Sequence, residues 1–178
     1  TSARIALGRV GDSLSTNEVL AFGVAHAQAR DAVYATLDDL RLQQQLQTAG
    51  YASLVVHSKA ENRQQYLCRP DLGRRLNDLS RTTLASQTLA NQQVVFVIAD
   101  GLSAIAGQQH ALALLQAIFA LMPSLQQSPI ILAHQARVAL GDEIGELLAA
   151  EIMVMLIGER PGLSSPDSLG VYLTYAPR

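Results

Sequence analysis

Three unbroken apolar runs in the second half of the chain constrain its fold more than any other feature. Val94 to Ala99, Pro129 to Ala133 and Ile152 to Ile157 carry no polar residue. A strand with one wet face alternates apolar and polar positions. A run that is apolar throughout belongs to a strand covered on both faces. Helical patterns separate the runs: Ser103 to Met122, closed by Pro123, and Gly141 to Ala150. Strand and helix in alternation imply right-handed βαβ units. Ala52 to His57 reads as one more short strand. Val171 to Tyr175 reads as the last, after a loop punctuated by Gly162, Pro166 and Gly170. The expected architecture is a three-layer α/β domain with a mostly parallel central sheet.

The first part of the chain reads differently. Ser15-Thr16-Asn17-Glu18 has the form of a capping box, and an apolar stripe of Val19, Leu20, Phe22, Gly23, Val24 and Ala27 follows it. That helix should run to about Val33. A second fits Asp38 to Ala49, with Gly50 as its stop. Residues 1–50 are therefore expected to form a helical N-terminal region, and residues 51–178 the α/β domain. Glu61 to Arg75 breaks the pattern, with Pro70 and Gly73 as punctuation and four arginines in residues 63–75. It is expected to be irregular, with a helix resuming to about Ala90.

Composition excludes several classes. At 49% apolar residues the chain can bury a core, and a net charge of −2 gives no field to attract nucleic acid or an acidic membrane. No run reads as a membrane span or signal peptide. The single cysteine, Cys68, excludes an intramolecular disulfide and any multi-cysteine zinc site. The four histidines, His26, His57, His110 and His134, lack metal spacing. Only 16% of residues are charged, and arginine outnumbers lysine 12 to one, which points to a surface partly covered by another chain, while 16 glutamines help to solvate the rest. There is no initiator Met, and the chain stops on Tyr175-Ala176-Pro177-Arg178, so both ends read as cut.

In an open parallel sheet, ligands bind beyond the carboxyl ends of the strands. The three runs place Asp100-Gly101-Leu102-Ser103, His134-Gln135-Ala136-Arg137-Val138 and Gly158-Glu159-Arg160-Pro161-Gly162-Leu163 there. The polar set expected to converge is Asp100, Ser103, His134, Arg137, Glu159 and Arg160. Each has a plainer role open to it. Asp100 and Ser103 can cap the next helix. Arg137 can pair with Asp142 or Glu143. His134 can be a structural hydrogen bonder, and Cys68 a spectator thiol. Tyr66 to Arg75, with Arg69, Asp71, Arg74 and Arg75, reads as a polar interface network or as a solvated loop. No Gly-x-Gly-x-x-Gly loop, Walker loop, Gly-x-Ser-x-Gly elbow or nucleophile–base pair is present. The chemistry alone describes a binding site without a complete catalytic constellation.

Four motifs and the C-terminal sequence carry a family resemblance. They are Arg69-Pro70-Asp71-Leu72-Gly73-Arg74-Arg75, Ala99-Asp100-Gly101-Leu102-Ser103, Arg137-Val138 leading into Gly141-Asp142-Glu143-Ile144-Gly145-Glu146, Gly158-Glu159-Arg160-Pro161-Gly162-Leu163, and Tyr172 to Arg178. Ser164-Ser165-Pro166-Asp167-Ser168 fits as well. In this order the chain, from Ala3 onward, resembles the small (light) subunit of ethanolamine ammonia-lyase. The resemblance implies a Rossmann-like, cobalamin-binding domain and a radical lyase that converts ethanolamine to acetaldehyde and ammonia with adenosylcobalamin. It implies a hetero-oligomer in which a large barrel subunit carries the substrate pocket and the corrinoid lies between the two subunits. By match to the family, Val138 and Glu159 are the implied cofactor contacts. Strand-end geometry adds Asp100, Ser103 and Arg137. No catalytic residue or metal ligand is expected in this chain.

The Asp-x-His-x-x-Gly pattern is absent, so the nucleotide base is expected to stay on cobalt. A cysteine contact from a segment after Arg178 and an N-terminal extension belong to the family pattern, and Ala136 stands where a glycine is expected. The resemblance also implies a cytoplasmic location, free or within a bacterial microcompartment. The competing readings are a non-catalytic α/β interaction or scaffold domain with a vestigial cleft, and a stand-alone α/β enzyme for a small molecule.

Overall fold

The structure is a computed structural model that describes residues 7–87 and 93–178. Its centre is one five-stranded sheet in the order β1-β3-β2-β4-β5. The strands are β1 (Ser53–His57), β2 (Val94–Ala99), β3 (Ile130–His134), β4 (Ile152–Gly158) and β5 (Leu169–Tyr175). Six α-helices are described: α1 (Thr16–Tyr34), α2 (Asp39–Thr48), α3 (Arg63–Cys68), α4 (Asp78–Ala85), α5 (Ala104–Leu121) and α6 (Leu140–Leu147).

The apolar runs form strands because both faces of the sheet are covered, and every residue of β2 is buried. On one face Val95, Val97, Ile131, Met153 and Met155 pack with Leu84 of α4 and Leu140 and Ile144 of α6. On the other, Phe96, Ile98, Leu132 and Leu156 pack with Leu42 and Leu46 of α2 and Leu115 and Phe119 of α5. The three layers are therefore as expected. α5 is long and apolar enough by length and composition to cross a bilayer, more than the sequence reading allowed. Here its apolar stripe lies on the sheet.

The sheet is mixed, which corrects the expectation of a mostly parallel one. β1–β3, β3–β2 and β2–β4 run parallel, and β4–β5 runs antiparallel from Ile152↔Tyr175 to Gly158↔Leu169. The cause is length. Residues 159–168 are too few to cross the sheet through a helix, so the chain doubles back as a hairpin.

Local signals account for most helix boundaries. The Ser15 and Asp38 side chains accept from Glu18 N and Arg41 N and start α1 and α2. Gly50 closes α2 at φ +86°, a conformation glycine adopts without steric cost. The stretch Glu61 to Arg75, expected to be irregular, holds the six-residue α3, capped by Asn62 accepting from Gln65 N, and a 3₁₀ turn at Leu72–Arg74. α4 ends at Ala85, and the expected continuation to Ala90 reaches residues outside those described.

Candidate functional site

The helices after β2 and β3 leave the sheet on opposite faces. α5 covers one face and α6 the other, although β2 and β3 are neighbours. This makes a switch point, the place where an open α/β sheet parts at its carboxyl edge and admits a ligand. The loops expected at that edge are the ones the fold gathers there.

Asp100 bridges the two strands. Its Oδ2 accepts from Gln135 N at 2.7 Å and its Oδ1 from Ala136 N at 3.0 Å. It is 3% exposed. Burial pushes its carboxyl up from the usual value, against those two N–H groups and the Arg63 charge. Asp100 therefore ties two strand ends together and does not cap α5. Ser103 precedes α5 and makes no side-chain cap either. Its hydroxyl donates to Pro166 O at 2.8 Å and fastens the β4–β5 loop. His110 of α5 holds the same loop through Asp167 at 2.9 Å.

The β4 end comes close to the β2 loop. Leu102 N donates to Gly158 O at 2.8 Å. Gly101 has φ +55°, and a Cβ there would collide with Gly158 O. A Cβ on Gly158 would collide with the Ser103 carbonyl. Only two glycines permit this approach. Glu159 follows directly, half-buried, and its Oε1 accepts from the Tyr172 hydroxyl at 2.5 Å. That bond pushes the Tyr172 hydroxyl up from its usual value. Arg160 is exposed.

Arg137 does not pair with Asp142 or Glu143. Its Nη2 donates to Tyr66 O at 3.0 Å, and its guanidinium lies 4.2 Å from the Tyr66 ring centroid. Glu143 is 4% exposed; it pairs with Arg81 and accepts from Leu76 N at 2.8 Å. Val138 is half-buried against the α4/α6 side of the core. Ala136 is fully buried with φ outside the positive region, so alanine fits where a glycine was expected.

Tyr66, which opens the Tyr66 to Arg75 stretch read as an interface network or solvated loop, and Arg63, which had no role assigned to it, join the site. Tyr66 of α3 is buried and donates from its hydroxyl to Ala136 O at 3.2 Å. Burial is the main cause that pushes this hydroxyl up to about 12. Arg63, one turn earlier, donates from Nε to Val33 O at 2.6 Å and from Nη1 to Gly101 O at 2.8 Å. The clustering of arginines in residues 63–75 was visible, but nothing local marks which of them folds inward. Arg69 pairs with Asp71 at 2.7 Å in solvent, and Cys68 is exposed.

His134 sits to the side of the crevice. It stacks on His57 with centroids 4.6 Å apart and planes at 9°. Its Nε2 lies 3.4 Å from the Asp39 carboxylate but makes no hydrogen bond. Burial first, then the His134 charge, lowers the His57 value. Among the described residues no group of three or more His, Cys, Asp or Glu could hold a metal ion. The edge presents backbone and amide groups, the hydrogen-bonded carboxylates of Asp100 and Glu159, and the guanidinium groups of Arg63 and Arg137. That set binds and orients a polar ligand, and it contains no nucleophile paired with a base.

The chain matches the model of the ethanolamine ammonia-lyase light chain (EutC) over residues 1–178. It is 55% identical over 183 residues to the ethanolamine ammonia-lyase small subunit of Pseudomonas putida strain F1, covering 100% of this chain and 67% of that protein. The corresponding figures are 54%, 100% and 67% for the small subunit of Xanthomonas campestris pv. campestris strain B100, and 52%, 100% and 68% for that of Ralstonia nicotianae. A small subunit implies a larger partner. The chain belongs to the ethanolamine ammonia-lyase light chain family and is a small subunit of that lyase.

Proposed function

We propose that this subunit holds adenosylcobalamin at the carboxyl edge of β2, β3 and β4, against the large subunit of a lyase that converts ethanolamine to acetaldehyde and ammonia. The observation that carries the reading is the hydrogen-bonding character of the switch point. Gln135 Oε1, beside the Asp100 bridge, is an acceptor shielded from solvent with no donor among the described residues. A corrinoid carries neutral amides around its rim, and these supply both donors and acceptors. The donor set here fits such a group.

Each residue then has a limited task. Glu159 accepts from an amide N–H, and its hydrogen bond to Tyr172 fixes the carboxylate's direction. Val138 offers backbone and apolar contact on the far side of β2. Asp100 and Ser103 act one step back, by locking the loops that carry these groups. Arg137 borders the same crevice. The bound cofactor would supply radical chemistry through its cobalt–carbon bond, and the protein's part is to position it. Strand and helix alternation with a switch point supports a Rossmann-like reading of the domain. A cytoplasmic setting, free or within a microcompartment, fits this role.

An interaction or scaffold domain with an idle cleft is the second reading, favoured by the exposed apolar α1. Corrinoid absorbance in a purified complex of this chain with a large subunit separates the two. Stoichiometric corrinoid is expected. Ethanolamine turnover by the pair without any corrinoid would overturn the proposal.

A further inference from the structure

β1 and β3 run side by side in parallel register, and their last pair is His57 with His134. His57 follows Val55, and His134 follows Leu132, on the sheet face that Leu42 and Leu46 of α2 cover. The two rings stack there with centroids 4.6 Å apart and planes at 9°. His134 Nε2 is shielded from solvent and faces the Asp39 carboxylate at 3.4 Å. Asp39 stands in the first turn of α2. Asp38, the cap of that helix, donates its N–H to Gln108 Oε1 of α5 at 3.2 Å. Residues 35–38 join α1 to α2, so the histidine contact lies at the root of the exposed N-terminal helix.

Few charged groups surround the pair. Asp39 and Asp100 act on His57 as anions, and His134 acts as a cation. Lys59 and Glu61, with Asp78 of α4, line the cavity beside His57. Arg63 is turned away to the carbonyls of Val33 and Gly101. A single proton on either ring is offset by Asp39. A second proton sets two like charges face to face in a partly buried stack, which is unfavourable. Burial first, then the His134 charge, accordingly holds His57 below its ordinary value. A histidine held low in the closed stack binds a proton more readily once the stack opens. Opening is therefore favoured as pH drops below about 6.5. Asp100 acts in the opposite sense, since its value is raised. We propose that His57, His134 and Asp39 form a pH-sensitive latch, which fastens the first turn of α2 to the ends of β1 and β3 and which a second proton on the stacked pair opens. The latch needs no ligand in the crevice, so it stands apart from the corrinoid reading.

Amide hydrogen exchange of the full chain tests the latch. Protection of α2 is measured at about pH 7.5 and about pH 5 and corrected for intrinsic exchange rates, with α6 on the other sheet face as control. In wild type, α2 protection should fall about three- to tenfold between the two, and α6 protection less than about twofold. His57→Gln removes the second proton and should abolish the fall. Asp39→Asn removes the offsetting carboxylate and should enlarge it. In His134→Gln the His57 imidazole should titrate at higher pH than in wild type by NMR, since the like charge is gone. Unchanged α6 protection at the higher pH shows that the variants fold. Equal α2 protection at both pH values in wild type, or an equal fall in α6, overturns the latch. A fall that His57→Gln or Asp39→Asn leaves as in wild type overturns it too, as does a His57 titration that His134→Gln leaves unmoved.

Discussion

The carboxyl edge of the sheet and the N-terminal segment of residues 7–24 handle water in opposite ways. At the edge, three loops interlock through Asp100, Ser103, Tyr66 and two glycines, which bury their polar groups against one another. Along residues 7–24 no residue is buried, yet Leu20, Phe22 and Val24 are 64%, 50% and 59% exposed. The N-terminal segment exposes apolar surface that a monomer gains nothing by showing to water. The division suits a subunit that brings a preformed ligand edge and an adhesive arm to a larger partner.

The largest test of this contrast is steric. Gly158→Ala drives a methyl into the Ser103 carbonyl, which cannot move without breaking the β2–β4 junction. The cost should reach about 3 kcal/mol, lowering Tm by roughly 6–12 °C in a thermal melt. A melt like wild type would show that the edge is loose. Asp100→Ala comes next, leaving the N–H groups of Gln135 and Ala136 unmatched while relieving a buried charge. A net loss of about 2 kcal/mol is expected by denaturant titration, and less for Asp100→Asn, which keeps an acceptor.

A smaller effect comes from His57. Its folded value lies below that of the unfolded chain, so the unfolded chain binds more protons below about pH 6.5 and stability falls as pH drops through that range. His57→Gln should remove this part of the acid slope. Asp100 works in the opposite direction, because its raised value relieves burial cost in acid. Measuring the slope in both single variants separates the two. The smallest stability effect belongs to the arm. Leu20→Gln with Phe22→Gln should change the stability of the lone chain by less than about 0.5 kcal/mol, yet weaken assembly with the large subunit in sedimentation. A large loss of stability in the lone chain would mean that the arm packs on its own body.

The sheet was legible because its strands are buried on both faces, and a run such as Val94 to Ala99 has no other use. The direction of β5 was not, although the brevity of residues 159–168 carried the signal. α3 was hidden because Pro70 and Gly73 read as punctuation, while a six-residue helix needs no long periodic stripe. The loops at the strand ends were legible from topology alone. The roles within them were not. Asp100 reads as a helix cap and Arg137 as a surface ion pair from local pattern, but their partners lie 35 and 71 residues away. The same distance concealed Arg63 and Tyr66. Their contacts with Gly101 and Ala136 span 38 and 70 residues, and no spacing rule reaches that far.

The central claim is that this edge holds the corrinoid, and Glu159 tests it most directly. It is half-buried just past the end of β4, and its side chain is bound to Tyr172 rather than to Asp100 or Ser103. Corrinoid affinity is measured for the subunit pair with wild-type chain and with Glu159→Ala, alongside circular dichroism and Tm. The account predicts an unchanged fold with affinity reduced about five- to tenfold, as expected for one lost hydrogen bond to a charged acceptor. Equal affinity in the two proteins would contradict it.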